Sequence, residues 1–154
     1  MRKLILVSAA PFALFKFTAT EGGLRVPLVI AGPDLPATGV LDGRAHVTDL
    51  VPTMLDIAGV NPVAPDIRGR SLLPMLNGER TAIYGDDDAV GFEVSGNSAL
   101  YRGNWKISRI PEPLGDGEWH MYDLSTDPGE TTDLARNLAF GSELYKDSAA
   151  LAEK

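Results

Sequence analysis

Gly22-Gly23-Leu24-Arg25-Val26-Pro27-Leu28-Val29-Ile30-Ala31-Gly32-Pro33 is the stretch on which the fold turns. Arg25 to Ala31 is a short, largely β-branched apolar run between breakers, the pattern of a buried strand. The two adjacent glycines before it allow a left-handed turn or a close backbone approach. A single buried strand cannot satisfy its own N–H and C=O groups, and nothing else nearby reads as its partner. Residues 1–80 therefore read as part of something larger than themselves.

Working outward, Gly32 to Gly43 is a loop rich in Gly, Pro and Asp. A helix follows, with Asp49 as its expected N-cap and Pro52 in the first turn, where a missing N–H costs little. Leu50, Met54, Leu55 and Ala58 recur at helical spacing, and Gly59 stands at the C′ position. Residues 61–70 form a Pro-containing connection, and Ser71 to Gly78 reads as a short apolar helix with its own terminator. The character changes near Glu79. Phe92–Val94 and Ala99–Arg102 read as strands, Gly103-Asn104 as a two-residue hairpin turn, and Trp105–Ser108 as the returning strand. Trp119 to Leu124 alternates, with Trp119, Met121 and Asp123 on one face and His120, Tyr122 and Leu124 on the other. Asp127-Pro128-Gly129 is a turn, and Glu143 to Lys154 reads as a terminal helix.

The chain has 154 residues, with 14 Lys+Arg against 21 Asp+Glu, a net charge of −7 and no Cys. That length suits one domain, or a domain with a fragment of another. The acidic balance argues against nucleic acid or an anionic membrane surface as partner, because both demand a basic footprint. The absence of Cys excludes disulfides, thiolate metal sites and a cysteine nucleophile, and leaves the compartment open between cytoplasm and periplasm. Met1-Arg2-Lys3 followed by the apolar run Leu4–Phe15 has the outline of a signal peptide, but no clean small-x-small site follows it. The run is also too short to span a bilayer, so no transmembrane helix is expected.

Little in the residues alone points to catalysis. There is no G-x-x-x-x-G-K-[ST], no G-x-S-x-G and no H-E-x-x-H. His46 and His120 read as helix-flanking and strand residues rather than as ligands. Asp86-Asp87-Asp88 could attract a calcium ion, but its spacing is not that of an EF-hand and a solvated acidic loop is the simpler reading. Lys16 lies just past the apolar run and five residues before Glu21-Gly22-Gly23. A lysine there can present three donors and a positive charge to an anion.

The segments taken together resemble the C-terminal part of a bacterial arylsulfatase, in the sulfatase family of the alkaline-phosphatase-like superfamily. The stretches that carry the resemblance are Ala10–Lys16, Thr20–Pro27, Thr48–Gly59, Gly69–Leu76, Tyr101–Lys106 and Met121–Glu130, in that order. The resemblance covers about residues 10 to 137. It implies an α/β fold present in part (an α+β fragment). Residues 1–80 would be the edge of the catalytic domain, with one strand and helices of its large sheet. Residues 81–154 would be a small antiparallel subdomain with a terminal helix. It also implies that Lys16 binds an oxygen of the sulfate ester, a charge-assisted hydrogen bond to a group that gains negative charge in the transition state.

The family's nucleophile, a formylglycine made within C/S-x-P-S/T-R, has no counterpart here. Neither do the Asp and Asn ligands of its calcium ion or its general-acid histidines. This chain is therefore expected to hold no cofactor itself, calcium belonging to the complete family enzyme, and to be inactive alone, because groups that act as a unit fail together. A sulfate ester is its expected substrate only when the missing N-terminal region completes the site. The alternative is a stand-alone binding or assembly module. It would take a sulfated or carboxylated ligand through Lys16 and Arg25, or self-associate through exposed apolar surface. A small secreted protein of unrelated role is a third reading.

Overall fold

The structure is a computed structural model that describes residues 9–32, 35, 39–60 and 67–135. The expected terminal helix over 143–154 and the start of the N-terminal apolar run lie outside the described residues, as do parts of the loops at 32–43 and 61–70. Two compact units result: the residues up to Pro27 group with those from Asp86 onward, and Leu28–Gly85 form the other.

The first unit is built on a four-stranded antiparallel meander: β1 (Ala89–Val94), β2 (Asn97–Arg102), β3 (Trp105–Arg109) and β4 (Trp119–Asp123). The Gly103-Asn104 turn joins Arg102 to Trp105, as the sequence predicts. A second two-residue turn, Ser95-Gly96, joins Val94 to Asn97. Both of its residues have positive φ, +52° and +78°, which matches the twist of the flanking strands. The register sets Val90, Tyr101, Lys106 and Tyr122 in one row and Gly91, Leu100, Ile107 and Met121 in a row on the opposite face. Both rows contain buried side chains, Tyr101 and Lys106 on one face and Ile107 and Met121 on the other. Each such apolar side chain stabilises by about 1.5–3 kcal/mol relative to exposure. The outer edge of β4 is covered, since Leu134 N–H donates to Met121 C=O at 2.8 Å. The same unit carries α1 (Glu21–Leu24), a single turn directly after Thr20.

The second unit contains a 3₁₀ turn (Val47–Asp49), α2 (Leu50–Ile57) and α3 (Leu73–Leu76). Leu72, Met75, Leu76 and Ile83 form its small core. Pro52 falls in the first turn of α2, as expected, and Gly59 follows the helix with φ +66°. Asp49 stands at the N-cap position of α2, as expected, but its backbone is already helical and its side chain makes no capping bond there. His46 caps instead, in a reciprocal capping box with Asp49. The buried carboxylate of Asp49 accepts from His46 N–H at 2.6 Å, Arg70 N–H at 2.8 Å and the Tyr84 hydroxyl at 2.6 Å. Asp49 thus joins three segments, with both carboxylate oxygens matched to donors, as a buried carboxylate requires.

The expected strand at 25–31 does not form. No strand is assigned between Arg25 and Ala31, and Val26, Leu28 and Val29 are 75%, 50% and 88% exposed. The physical reason is the one the sequence itself raises: among the described residues no neighbour supplies the ladder that a buried strand needs. The outer face of α2 is similar, with Val51, Met54 and Ile57 about half exposed or more. Among the described residues no helix is long and apolar enough to cross a membrane.

Candidate functional site

Lys16 sits on a tightly stitched loop. Thr18 Oγ1 lies 2.6 Å from the Phe15 carbonyl oxygen, Thr20 Oγ1 lies 2.7 Å from the Ala13 carbonyl oxygen, and the two hydroxyl oxygens are 2.8 Å apart, so two hydroxyl protons serve three close contacts. Gly22 N–H donates to the same Ala13 carbonyl at 3.0 Å. The tandem glycines have a steric reason. A Cβ at Gly22 would strike the carbonyl oxygens of Ala13 and Leu14, and one at Gly23 would strike those of Thr18 and Phe15. Thr18, Ala19, Thr20 and Glu21 are buried beneath the loop, while Lys16 and Phe17 stay exposed on it. Leu14 and Phe17 flank Lys16 in the left-handed region, at φ +53° and +74°, conformations that a side-chain-bearing residue keeps only when its surroundings impose them. The Lys16 ammonium lies 5.3 Å from the centre of the Phe17 ring. Arg25 stacks on Phe12 at 4.9 Å.

Beneath the end of this loop is a buried ion cluster. Lys106, fully buried, places Nζ 2.9 Å from Glu21 Oε1 and 2.8 Å from Glu130 Oε1. Glu130 Oε2 accepts from Glu21 N–H at 2.7 Å, so the first amide of α1 is held by a carboxylate, the charge its positive end favours. The Tyr101 hydroxyl donates to Glu21 Oε1 at 2.6 Å, and the Lys106 ammonium lies 4.9 Å over the Tyr101 ring. Burial raises the Glu130 carboxyl above the ordinary range, against the pull of Lys106. Tyr122, next to Lys106 in the register, is pushed up to about 12, by burial first and then by the carboxylates Glu130, Asp133, Asp127 and Asp116.

His120 forms a second polar group on β4. Nδ1 lies 2.8 Å from Asp133 Oδ2 and Nε2 lies 2.9 Å from Asp116 Oδ1. Partial burial depresses its pKa, but the hydrogen bonds to the two aspartates outweigh that and raise it. Asp133 also accepts from Met121 N–H at 3.1 Å and Ala135 N–H at 2.9 Å, which fastens the chain after β4 to the sheet edge.

The sequence is related to known proteins over most of its length. Residues 14–146 match the family model described as N-sulphoglucosamine sulphohydrolase, C-terminal. The chain belongs to the sulfatase family. It is 38% identical over 129 residues to a choline-sulfatase of Rhizobium meliloti, covering 80% of this chain and 24% of that protein. An uncharacterized sulfatase of Schizosaccharomyces pombe is 33% identical over 137 residues, covering 84% of this chain and 25% of the relative. A solved sulfatase structure from Bacteroides thetaiotaomicron aligns at a TM-score of 0.51 with 26% identity, over 68% of this chain and 23% of that one. This sulfatase chain therefore spans about a quarter of the length of its curated relatives, and its architecture is a partial α/β sulfatase fold that includes the small antiparallel sheet.

Lys16 is on the exposed loop, while His46 caps the 3₁₀ turn of the second unit and His120 is held between two aspartates on β4. Among Asp86, Asp87 and Asp88, Asp87 pairs with Arg102 at 3.2 Å. Among the described residues no group of three or more His, Cys, Asp or Glu could hold a metal ion. The described residues therefore do not fit a metal ion. Sequence reasoning missed the Lys106 cluster, whose members are 85 and 109 positions apart in sequence. The available signal was the period of β3, which sets a lysine in the row of Tyr101 and Tyr122.

Proposed function

We propose that this chain is the C-terminal portion of a sulfuric ester hydrolase of the arylsulfatase type. In this reading it supports the rim of the active site and supplies Lys16 as one contact to the sulfate group. The observation that carries it is the coincidence of partial length with uncovered apolar surface. The chain spans about a quarter of its relatives, and among the described residues nearly all the exposed large apolar side chains fall between Phe17 and Val60. An apolar surface of that kind marks a region whose partner lies elsewhere. The Lys16 loop adds support. It is rigidly built yet leaves its ammonium outward, the arrangement of a donor preorganised for an anion.

The nucleophile, the calcium ligands and the general acid would come from the remaining three quarters of a sulfatase, so the chain alone is inactive. The test is hydrolysis of an aryl sulfate with calcium present, by the chain alone and by the chain co-expressed with the N-terminal region of a sulfatase relative. The expected result is no turnover alone, and turnover on complementation that falls when Lys16 is replaced by Ala. Turnover by the isolated chain above its Lys16→Ala control would sink the reading.

The same exposed residues also suit a stand-alone assembly module that covers them by self-association. Concentration-dependent dimers in sedimentation, together with failed complementation, would put that reading first.

A further inference from the structure

We propose that Lys106 is a positioning residue for the Lys16 loop: through Glu21 and Glu130 it locks the base of that loop to the small sheet. This inference rests on the reading of Lys16 as a sulfate contact and deepens it. Three observations carry the proposal. First, Lys106, the second residue of β3, is fully buried where an apolar residue of similar volume would pack without desolvating a charge. A buried ion pair is weak evidence for stability, since such replacements are often neutral or stabilising. What it does supply is direction, because a misplaced carboxylate would leave a buried charge unpaired.

Second, three of the cluster's hydrogen bonds meet at one residue, Glu21. Lys106 and Tyr101 both reach Glu21 Oε1, and Glu130 takes the Glu21 amide. Third, Glu21 is the first residue after the loop. The next amides close onto it, Gly22 onto Ala13 and Gly23 onto Thr20, so a shift of Glu21 is passed directly to the segment that carries Lys16. The small sheet, remote in sequence from Lys16, thereby sets where its ammonium stands.

The experiment is limited proteolysis of the full chain with trypsin. The left-handed residues on either side of Lys16 do not fit the extended backbone a protease binds, so cleavage between Lys16 and Phe17 requires the loop to open. Lys106→Met is expected to raise the rate at Lys16 about tenfold more than it raises the rate at the sheet sites Arg102 and Arg109. Gly23→Ala, which disturbs the loop from the opposite side, should release the same site with the cluster intact. If Lys106→Met does not fold, the triple variant Lys106→Met, Glu21→Gln, Glu130→Gln removes all the buried charge together and is read in the same way. An unchanged rate at Lys16, or a parallel rise at Lys16, Arg102 and Arg109, would overturn the proposal. The measurement uses no sulfate and no partner region, so its failure leaves the Lys16–sulfate reading standing. Conversely, a complemented enzyme indifferent to Lys16→Ala would leave the clamp intact.

Discussion

The two compact units solve the same problem in different ways. In the first, the residues up to Pro27 and from Asp86 onward close around a hydrogen-bonded sheet, with apolar side chains buried on both of its faces and an ion cluster beneath the Lys16 loop. In the second, Leu28–Gly85 gather around four buried apolar residues and one carboxylate, and leave much of their apolar surface in solvent. The difference follows from who supplies the partners. The sheet finds its hydrogen bonds within the chain, through two turns of two residues and one longer loop before β4. The second unit and the segment from Val26 carry apolar side chains that stay exposed among the described residues.

The sharpest way to break the comparison is to strike each unit at its buried charge. Lys106→Met leaves Glu21 and Glu130 without their cation, and the expected cost is about 3–5 kcal/mol. It can be read by urea unfolding followed by Trp fluorescence, since both tryptophans, Trp105 and Trp119, are in the first unit. Asp49→Ala removes the acceptor for His46, Arg70 and Tyr84, with an expected cost of about 2–3 kcal/mol. Hydrogen exchange at the Ala58 and Val60 amides, which close the end of α2, should then lose protection, with no change in Trp fluorescence. Equal losses in both readouts from either variant would show one cooperative body in place of two.

Glu130→Gln should cost less than Lys106→Met, because Glu130 already resists ionisation through burial. A larger cost would mean that its charge, rather than its hydrogen bonds, holds α1.

The pH dependence sharpens the picture of the β4 edge. The pKa of His120 is raised in the folded chain, so the stability it contributes is fully present below its unfolded value of about 6.5 and is lost as pH rises through the folded value. The lowered values of Asp116, held down chiefly by its hydrogen bond to His120, and of Asp133 act in the opposite sense. For Asp133 burial works upward but is outweighed by the amide of Met121 and by His120. Their share is present above the ordinary carboxylate range and fades in acid. Maximal stability of this edge should therefore lie between the carboxylate and histidine titrations, and His120→Asn should flatten the decline on the alkaline side. The smallest expected effect belongs to the exposed apolar face. Met54→Lys and Val29→Lys should each change stability by less than about 0.5 kcal/mol while lowering binding of a hydrophobic dye. A loss above about 1 kcal/mol would show that this face is covered after all.

Sequence and structure divide along the range of the interactions involved. The 3.6-residue spacing before Gly59, the two-residue Gly103-Asn104 turn and the alternation from Trp119 were legible because they are local periodicities, fixed by backbone geometry within a few residues. The family was legible for a related reason: several short segments keep their order along the chain. Asp49 was rightly placed at the start of a helix, but its side chain caps nothing there, and its partners include Arg70 and Tyr84. The run from Arg25 to Ala31 has the composition of a buried strand, but burial depends on neighbours that no local pattern can guarantee. Lys106 and Glu130 gave no sign of meeting Glu21. Tertiary structure alone decided that meeting, because a charge can be buried only where opposite charges and donors converge from distant parts of the chain.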